Sequence, residues 1–151
     1  MTTVTKVLRF AAGHRLLDHE GACAQLHGHN YRAEITVAAE TGLDAVGRVV
    51  DFAVVKQEIG GWIDREWDHG FLVNRRDGAA LAALREFAFR SGVAQRIAVL
   101  DGNPTAEVMA RTLLEEASGL LRPHGVRVAG VVLWETDTCA AEVTVEPEGP
   151  A

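Results

Sequence analysis

The 151-residue sequence contains little cysteine, no long apolar run and no excess of positive charge. Its apolar runs fall short of the ~20 residues that cross a bilayer, which excludes an integral membrane protein. Fifteen Lys and Arg against twenty-one Asp and Glu give a net charge of −6, which argues against a nucleic-acid-binding surface. The first residues lack the pattern of a signal peptide. Two cysteines, Cys23 and Cys139, cannot form a disulfide framework, so we expect a reducing, cytoplasmic compartment.

Patterns of polarity predict strands near both ends of the chain and helices between them. The clearest alternation surrounds Tyr31, which begins an apolar row on one side of a strand. Asp51 is expected to cap a first amphipathic helix, and Pro104 to open a second one. A weaker helical stretch begins at Asp77. The predicted strands are residues 4–10, 27–40, 48–51, 96–100, 126–134 and 140–145.

These elements predict the fold class. Hairpin-like strand pairs beside two long helices indicate an α+β domain, with both helices on one face of an antiparallel sheet. An apolar content of 48% fits a single domain over residues 1–151, folded to about residue 146 with a short C-terminal tail. The open edges of such a sheet invite pairing with another subunit, so we expect a homo-oligomer.

A histidine cluster carries the strongest chemical signal. The run Cys23-Ala-Gln-Leu-His27-Gly-His29 holds two histidines at i and i+2, which project to one face of a strand. His14, near the end of the preceding strand, can complete a set of three. Three imidazoles with one open position are typical of catalytic rather than structural zinc. The alternative is three ordinary strand-end histidines with satisfied hydrogen bonds.

Six further residues, at four places in the sequence, are candidates with competing explanations. Cys23 is a metal ligand, a base or nucleophile beside the metal, or a small buried hydrophobe. Asp68-His69 is either a proton relay or a histidine at a helix end. Glu135 follows an apolar run, where it either binds a guanidine-like ligand edge through two hydrogen bonds or leaves the sheet into solvent. Thr105 and Glu107 fit the first turn of a helix, where capping alone explains both.

Taken together, these residues resemble the family of 6-pyruvoyl- and 6-carboxy-tetrahydropterin synthases. The matching segments occur in the family's order and span nearly the whole chain. They are Phe10-Ala-Ala-Gly-His14-Arg-Leu16, Cys23-Ala-Gln-Leu-His-Gly-His-Asn-Tyr31, Gly47-Arg-Val-Val-Asp-Phe52, Trp67-Asp-His69 with Asn74, Asn103-Pro-Thr-Ala-Glu107, and Trp134-Glu-Thr136.

The resemblance implies the tunnelling fold, in which strands from several subunits form a barrel, commonly in a hexamer. It implies zinc on three histidines, a base with two relay partners, and anchoring of a pterin ring by Glu135 with help from two residues of the second helix. In carboxy-forming members the Glu135 position also counts in the relay. The implied positions are His14, His27 and His29 for zinc, Cys23 as base, Asp68 and His69 as relay, and Thr105 and Glu107 as helpers.

The implied reaction is a zinc-dependent lyase reaction on 7,8-dihydroneopterin triphosphate. In the carboxy-forming branch triphosphate and acetaldehyde leave, and 6-carboxy-tetrahydropterin serves deazapurine pathways such as queuosine synthesis. The rival within the family stops at 6-pyruvoyl-tetrahydropterin, and the rival from another class is a non-catalytic zinc-binding subunit. Residues 75–102 form a longer stretch than in compact bacterial members, and we expect it to reshape the pocket mouth.

Overall fold

The computed structural model describes residues 1–145, so the predicted end of the folded part at residue 146 and the tail after it lie outside the described residues. Six strands form one sheet with the order β4-β3-β1-β2-β5-β6. In chain order they are β1 (Thr3–His14), β2 (His27–Ala39), β3 (Gly70–Asn74), β4 (Ile97–Leu100), β5 (Val126–Trp134) and β6 (Ala140–Thr144).

The α+β class is confirmed, and the sheet is mixed rather than wholly antiparallel. β1, β2, β5 and β6 pair antiparallel, as the hairpin-like patterns predicted. β3 was not predicted, and it pairs parallel with β1 and with β4. A parallel partner requires a crossover connection, and here the chain passes through helices before β3 and again before β4.

The helices follow the predicted order. The first helical stretch contains one π-helical segment, and the second strong helix is continuous. No helix among residues 1–145 is long and apolar enough to cross a membrane. The helical elements are α1 (Phe52–Val55), a π-helical segment (Lys56–Gly60), α2 (Gly61–Glu66), α3 (Gly78–Ser91) and α4 (Ala106–Leu121), with short 3-10 turns at Ala22–Ala24 and Arg122–His124.

The main core lies between one sheet face and the two long helical stretches. Ile35 and Val131 of the sheet are fully buried beside Ile59 of the π-helical segment and Leu113 of α4. Burying each such side chain contributes about 2 kcal/mol. Leu72 of β3 belongs to this core, whereas the neighbouring Val73 packs with α3 in a separate cluster. Since side chains alternate along a strand, α3 covers the opposite face of β3.

An N-cap fixes where α1 begins, and the turn before this helix corrects one prediction. Asp51 accepts the Ala53 N–H at 2.8 Å, so the predicted N-cap is confirmed. The predicted sheet extension at residues 48–51 is wrong. Arg48 binds the carboxylates of Asp44 and Asp51 at 2.9 and 3.0 Å, and its carbonyl accepts the Asp44 N–H, so this segment closes as a turn.

One edge of β1 is open along most of its length. β3 pairs with β1 only at the last three residues, Ala12 to His14. The Ala11 N–H and carbonyl point to this edge, since they bind the Asp68 carboxylate and the His69 N–H. By strand alternation, the backbone groups of Val7 and Arg9 point the same way. Within residues 1–145 no strand pairs with this part of the edge.

Candidate metal centre and active site

The strand register brings the three predicted histidines together. β1 and β2 pair so that His14 lies opposite His27, and Ala12 lies opposite His29. All three imidazoles therefore project from the same face of the hairpin as the buried row that begins at Tyr31. The period of two residues seen in the sequence is thus the reason that the cluster forms at the end of the core.

The ring nitrogens of these histidines are close enough to hold one cation. One ligand atom from each of His14, His27 and His29 lies within 4.8 Å of the others. The Nε2 atoms of His14 and His27 are 3.1 Å apart. His14 is 1% exposed, and the other two are half-buried. Three imidazoles at this spacing suit zinc, which bonds to histidine nitrogen at about 2.0–2.1 Å.

Hydrogen bonds on the far side of two rings fix their tautomers. His14 Nδ1 lies 2.7 Å from the Pro104 carbonyl, and His27 Nδ1 lies 2.7 Å from the Gln25 carbonyl. A carbonyl only accepts, so each Nδ1 carries the proton and each Nε2 presents a lone pair to the centre of the cluster. His29 Nε2 is buried there with no hydrogen-bond partner. The donor set therefore fits a bound dication.

The surroundings keep His14 neutral and Tyr31 protonated. Burial lowers the pKa of His14 below its ordinary value of 6.5, and this outweighs the opposing effects of the Pro104 hydrogen bond and the Glu135 charge. Burial, followed by the charges of Glu135 and Cys23, raises the pKa of Tyr31 above its ordinary value. The Tyr31 hydroxyl is 3.3 Å from His14 Nδ1, so a neutral phenol borders the buried ring.

Glu135 lies against the histidine cluster. It directly follows β5, and its Oε1 atom is 3.4 Å from His29 Nε2, with the side chain 22% exposed. Its carboxylate therefore faces the cluster instead of leaving the sheet into solvent. A signal for this position was present in the sequence, because Val131, Leu133 and Glu135 share one parity and the first two are buried.

Cys23 lies in a loop that is tied to the start of α4. The thiol belongs to the half-buried 3-10 turn, and the Cys23 carbonyl accepts the Leu16 N–H at 2.8 Å. The Asn103 side chain holds this loop by accepting the Leu17 N–H and donating to the Leu17 carbonyl, both at 2.9 Å. The sequence pattern assigned Asn103 only to a helix start, so its contact with the Cys23 loop was missed.

Asp68 and His69 form a hydrogen-bonded pair on the turn before β3. His69 Nδ1 lies 2.7 Å from Asp68 Oδ2, and the Ala11 N–H donates to Asp68 Oδ1 at 2.9 Å. Partial burial by itself raises the pKa of Asp68. The hydrogen bonds from Ala11 and His69 and the charge of Arg96 together have the larger, opposite effect, so the pKa of Asp68 lies below its ordinary value of 3.8. The His69 side chain is 82% exposed, so it is available to a ligand.

A shallow cleft of about 400 Å³ borders the Asp68–His69 turn. His27, His29 and His69 line it, together with Gly13, Gly28 and Phe71. A side chain at Gly28 would put its Cβ 2.8 Å from the Ala12 carbonyl oxygen, so close approach of the two strands requires glycine there.

Thr105 and Glu107 follow Pro104, whose carbonyl contacts the His14 ring. Within one chain, both residues act at the N-terminus of α4. Thr105 Oγ1 accepts the Val108 N–H at 3.3 Å, and Glu107 is exposed in the first turn of α4. Among the described residues, neither side chain makes a hydrogen bond or an ion pair with the three histidines. Capping accounts for both positions in the isolated chain.

Comparisons with known proteins agree with this geometry. Residues 3–146 match the family described as 6-pyruvoyl tetrahydropterin synthase. A 6-carboxy-5,6,7,8-tetrahydropterin synthase of Rickettsia bellii is 35% identical over 144 residues, covering 95% of this chain and 100% of the relative. A protein of the same name from Aquifex aeolicus is 35% identical over 164 residues, covering 95% of this chain and 98% of the relative.

A solved structure has the same fold. An uncharacterized protein from Wolinella succinogenes superposes with a TM-score of 0.82, covering 96% of this chain and 98% of that one. The two sequences are 24% identical, so this likeness concerns the fold alone.

Proposed function

Since the chain belongs to the 6-pyruvoyl tetrahydropterin synthase family, we propose that it is a zinc-dependent 6-carboxy-5,6,7,8-tetrahydropterin synthase. Its substrate would be 7,8-dihydroneopterin triphosphate. With water, the substrate gives 6-carboxy-5,6,7,8-tetrahydropterin, acetaldehyde and triphosphate. Such a product feeds deazapurine synthesis, as in the formation of queuosine.

The observation that carries the proposal is the convergence of three imidazoles, in which the buried Nε2 of His29 makes no hydrogen bond and lies 3.4 Å from the Glu135 carboxylate. A buried imidazole nitrogen without a partner is costly, and a dication satisfies all three rings at once. Zinc is the proposed metal because three neutral imidazoles with an open position are typical of catalytic zinc. When bound, zinc supplies Lewis acidity toward the substrate's side chain.

The chain's own residues would move the protons. Cys23 is the proposed base, because a thiolate near a dication is favoured and its loop is held by Asn103. His69 would return a proton, and Asp68 orients it through the bond to Nδ1. Because this pair is exposed, it could donate the proton in an active site that a neighbouring copy completes.

Glu135 is the proposed anchor of the pterin ring. Its two carboxylate oxygens can accept two parallel hydrogen bonds from an amino-pyrimidinone edge. Its position 3.4 Å from His29 Nε2 would hold the pterin side chain near the three histidines. Thr105 and Glu107 would help from the start of α4 when the oligomer closes the pocket, and Glu135 would also take part in proton transfer.

An oligomer in which strands of several copies form a barrel is proposed for the assembly, with six copies as the expected number. The open edge of β1 and the outer edge of β6 lie at the two ends of the antiparallel part of the sheet. Within residues 1–145 no strand pairs with the outer edge of β6 or with most of the β1 edge, and such open edges favour pairing between copies.

The decisive experiment is product analysis. Zinc-loaded protein is incubated with 7,8-dihydroneopterin triphosphate, and the products are identified by mass spectrometry together with an acetaldehyde assay. We expect 6-carboxy-tetrahydropterin and one acetaldehyde for each triphosphate released. A product that retains all side-chain carbons would instead assign the pyruvoyl-forming reaction, and zinc binding without turnover would assign a non-catalytic subunit.

A further inference from the structure

The peptide bond between Asp68 and His69 is held from both sides. The His69 N–H donates to the Ala11 carbonyl at 2.7 Å, which ties the bond to β1. On the other side, the Arg96 guanidinium donates to the Asp68 carbonyl. A peptide plane fixed at both its donor and its acceptor has little freedom to rotate.

The turn needs such fixing because His69 has a φ of +56°, which is in the left-handed region. A non-glycine residue is unfavourable there and remains only where its surroundings hold it. The φ angle describes rotation about the bond between the His69 nitrogen and Cα. Holding the peptide before that bond, together with the 2.7 Å contact between His69 Nδ1 and Asp68 Oδ2, therefore restricts where the His69 ring can lie.

Arg96 makes two further contacts with the same turn. Its carbonyl accepts the Phe71 N–H at 3.0 Å, just before β4 begins. Its aliphatic stem passes over Gly70, where an added Cβ would lie 3.0–3.2 Å from the Arg96 Cβ, Cγ and Cδ atoms. The stem, the carbonyl and the guanidinium thus bind three consecutive parts of the turn.

We propose that Arg96 is a positioning residue, which holds the Asp68–His69 turn in the conformation that presents the imidazole to the cleft. Arg96 belongs to the stretch 75–102, so this stretch would support the active site. The functional part of the inference rests on the proposed function, in which Asp68 and His69 take part in proton transfer. The structural part does not depend on the substrate.

Hydrogen–deuterium exchange tests the structural part in the full-length, zinc-loaded protein. Arg96→Met keeps an aliphatic stem over Gly70 and removes the guanidinium. We expect amide exchange in the peptide covering residues 67–72 to become about tenfold faster, because local opening becomes easier. Arg96→Lys, which keeps one charged donor, should give an intermediate rate. Arg90→Met is the matched control, because Arg90 pairs only with Glu86 on the exposed side of α3.

Kinetics tests the functional part. Arg96→Met should lower kcat about tenfold with KM nearly unchanged, since a misplaced proton donor affects the chemical step. The acid limb of the pH profile should also move to higher pH, because the Arg96 charge helps to lower the pKa of Asp68. In Arg96→Lys the acid limb of the pH profile should lie close to its wild-type position. Arg90→Met should change neither kcat nor the acid limb.

The outcomes separate the two parts. Unchanged exchange in Arg96→Met overturns the positioning role. If Arg96→Met shows faster amide exchange in residues 67–72 but a wild-type kcat and an unshifted pH profile, then Arg96 holds the turn without affecting the reaction. If the wild-type protein does not convert the pterin triphosphate, the proposed function fails, while the exchange result still decides whether Arg96 holds the turn.

Discussion

His14 and His27 direct their Nε2 lone pairs at each other across 3.1 Å, because the Nδ1–H of each ring donates a hydrogen bond to a backbone carbonyl. Two lone pairs at this distance repel, and a cation between them removes the repulsion. The hairpin therefore carries a site that is already prepared for a metal. His29 offers a third ring nitrogen to this site from the same strand as His27.

Removing one histidine should abolish tight metal binding. His29→Ala deletes a direct ligand, so the loss in zinc affinity should exceed the ~10–100-fold that removing a second-shell partner costs. Zinc content after gel filtration, measured by mass spectrometry of the metal, should fall from one per chain to near zero. His124→Gln is the matched control, since His124 pairs with Glu58 at the surface. Equal zinc content in the two variants would contradict the site.

The two cysteines should differ sharply in their effect on turnover. Cys23→Ala removes the proposed base and should lower kcat by roughly 10²–10⁴-fold while zinc content stays at one per chain. Cys139→Ala should retain wild-type activity, because Cys139 is exposed on the turn before β6. Full turnover by a zinc-loaded Cys23→Ala enzyme would remove the base assignment.

Asp68 should stabilise the fold in a pH-dependent way. The pKa of Asp68 is lower in the folded state than its ordinary value of 3.8. The carboxylate therefore adds fully to the free energy of unfolding above about pH 4, and this contribution is lost as the pH falls through the folded-state pKa. Asp68→Asn should reduce the free energy of unfolding by about 1–3 kcal/mol at pH 7, since it weakens hydrogen bonds to a charged group. Urea unfolding at several pH values measures this.

The matched control for Asp68→Asn is Asp101→Asn. Asp101 is 87% exposed and pairs with Arg75 at the surface, so its replacement should change stability by less than about 1 kcal/mol. The difference between Asp68→Asn and the wild-type protein should narrow below about pH 3. A difference that is constant with pH would mean that the carboxylate charge does not stabilise the turn.

The open edge of β1 should control assembly. The Val7 N–H points to this edge and has no strand partner within the described chain, so Val7→Pro removes a donor that only a neighbouring copy would use. Light scattering should show a shift from a multiple of 16.3 kDa toward the single-chain mass. Val7→Ala keeps the N–H and should retain the oligomer. An unchanged mass for Val7→Pro would exclude this edge from the interface.

The sequence predicted the parts of the site that depend on local periodicity. Alternation around Tyr31 was enough to place His27 and His29 on one face, and the Asp51 cap was recognisable from residue type alone. The antiparallel strands at both ends of the chain followed from the same alternation. These features depend on neighbours within a few residues, so a single sequence contains them.

The missed features depend on distant partners. β3 is a short apolar run with no clean alternation, and it becomes a strand because β1 and β4 lie on either side of it. The expected strand at residues 48–51 failed because Arg48 has carboxylate partners on both sides in sequence. Arg96 reaches back 28 residues to the Asp68 carbonyl, and no spacing in the sequence indicates such a contact.

The hairpin of β1 and β2 supplies all three histidines that could hold a metal ion from sixteen consecutive residues, whereas the carbonyl that orients His14 comes from Pro104, ninety residues further on. Contacts close in sequence have a small loop-closure cost and form early, and distant ones form late. The hairpin can therefore bring the three imidazoles together before the rest of the chain has folded. Docking of the segment before α4 then fixes the His14 tautomer through the Pro104 carbonyl, so the second half of the protein completes a site that the hairpin begins.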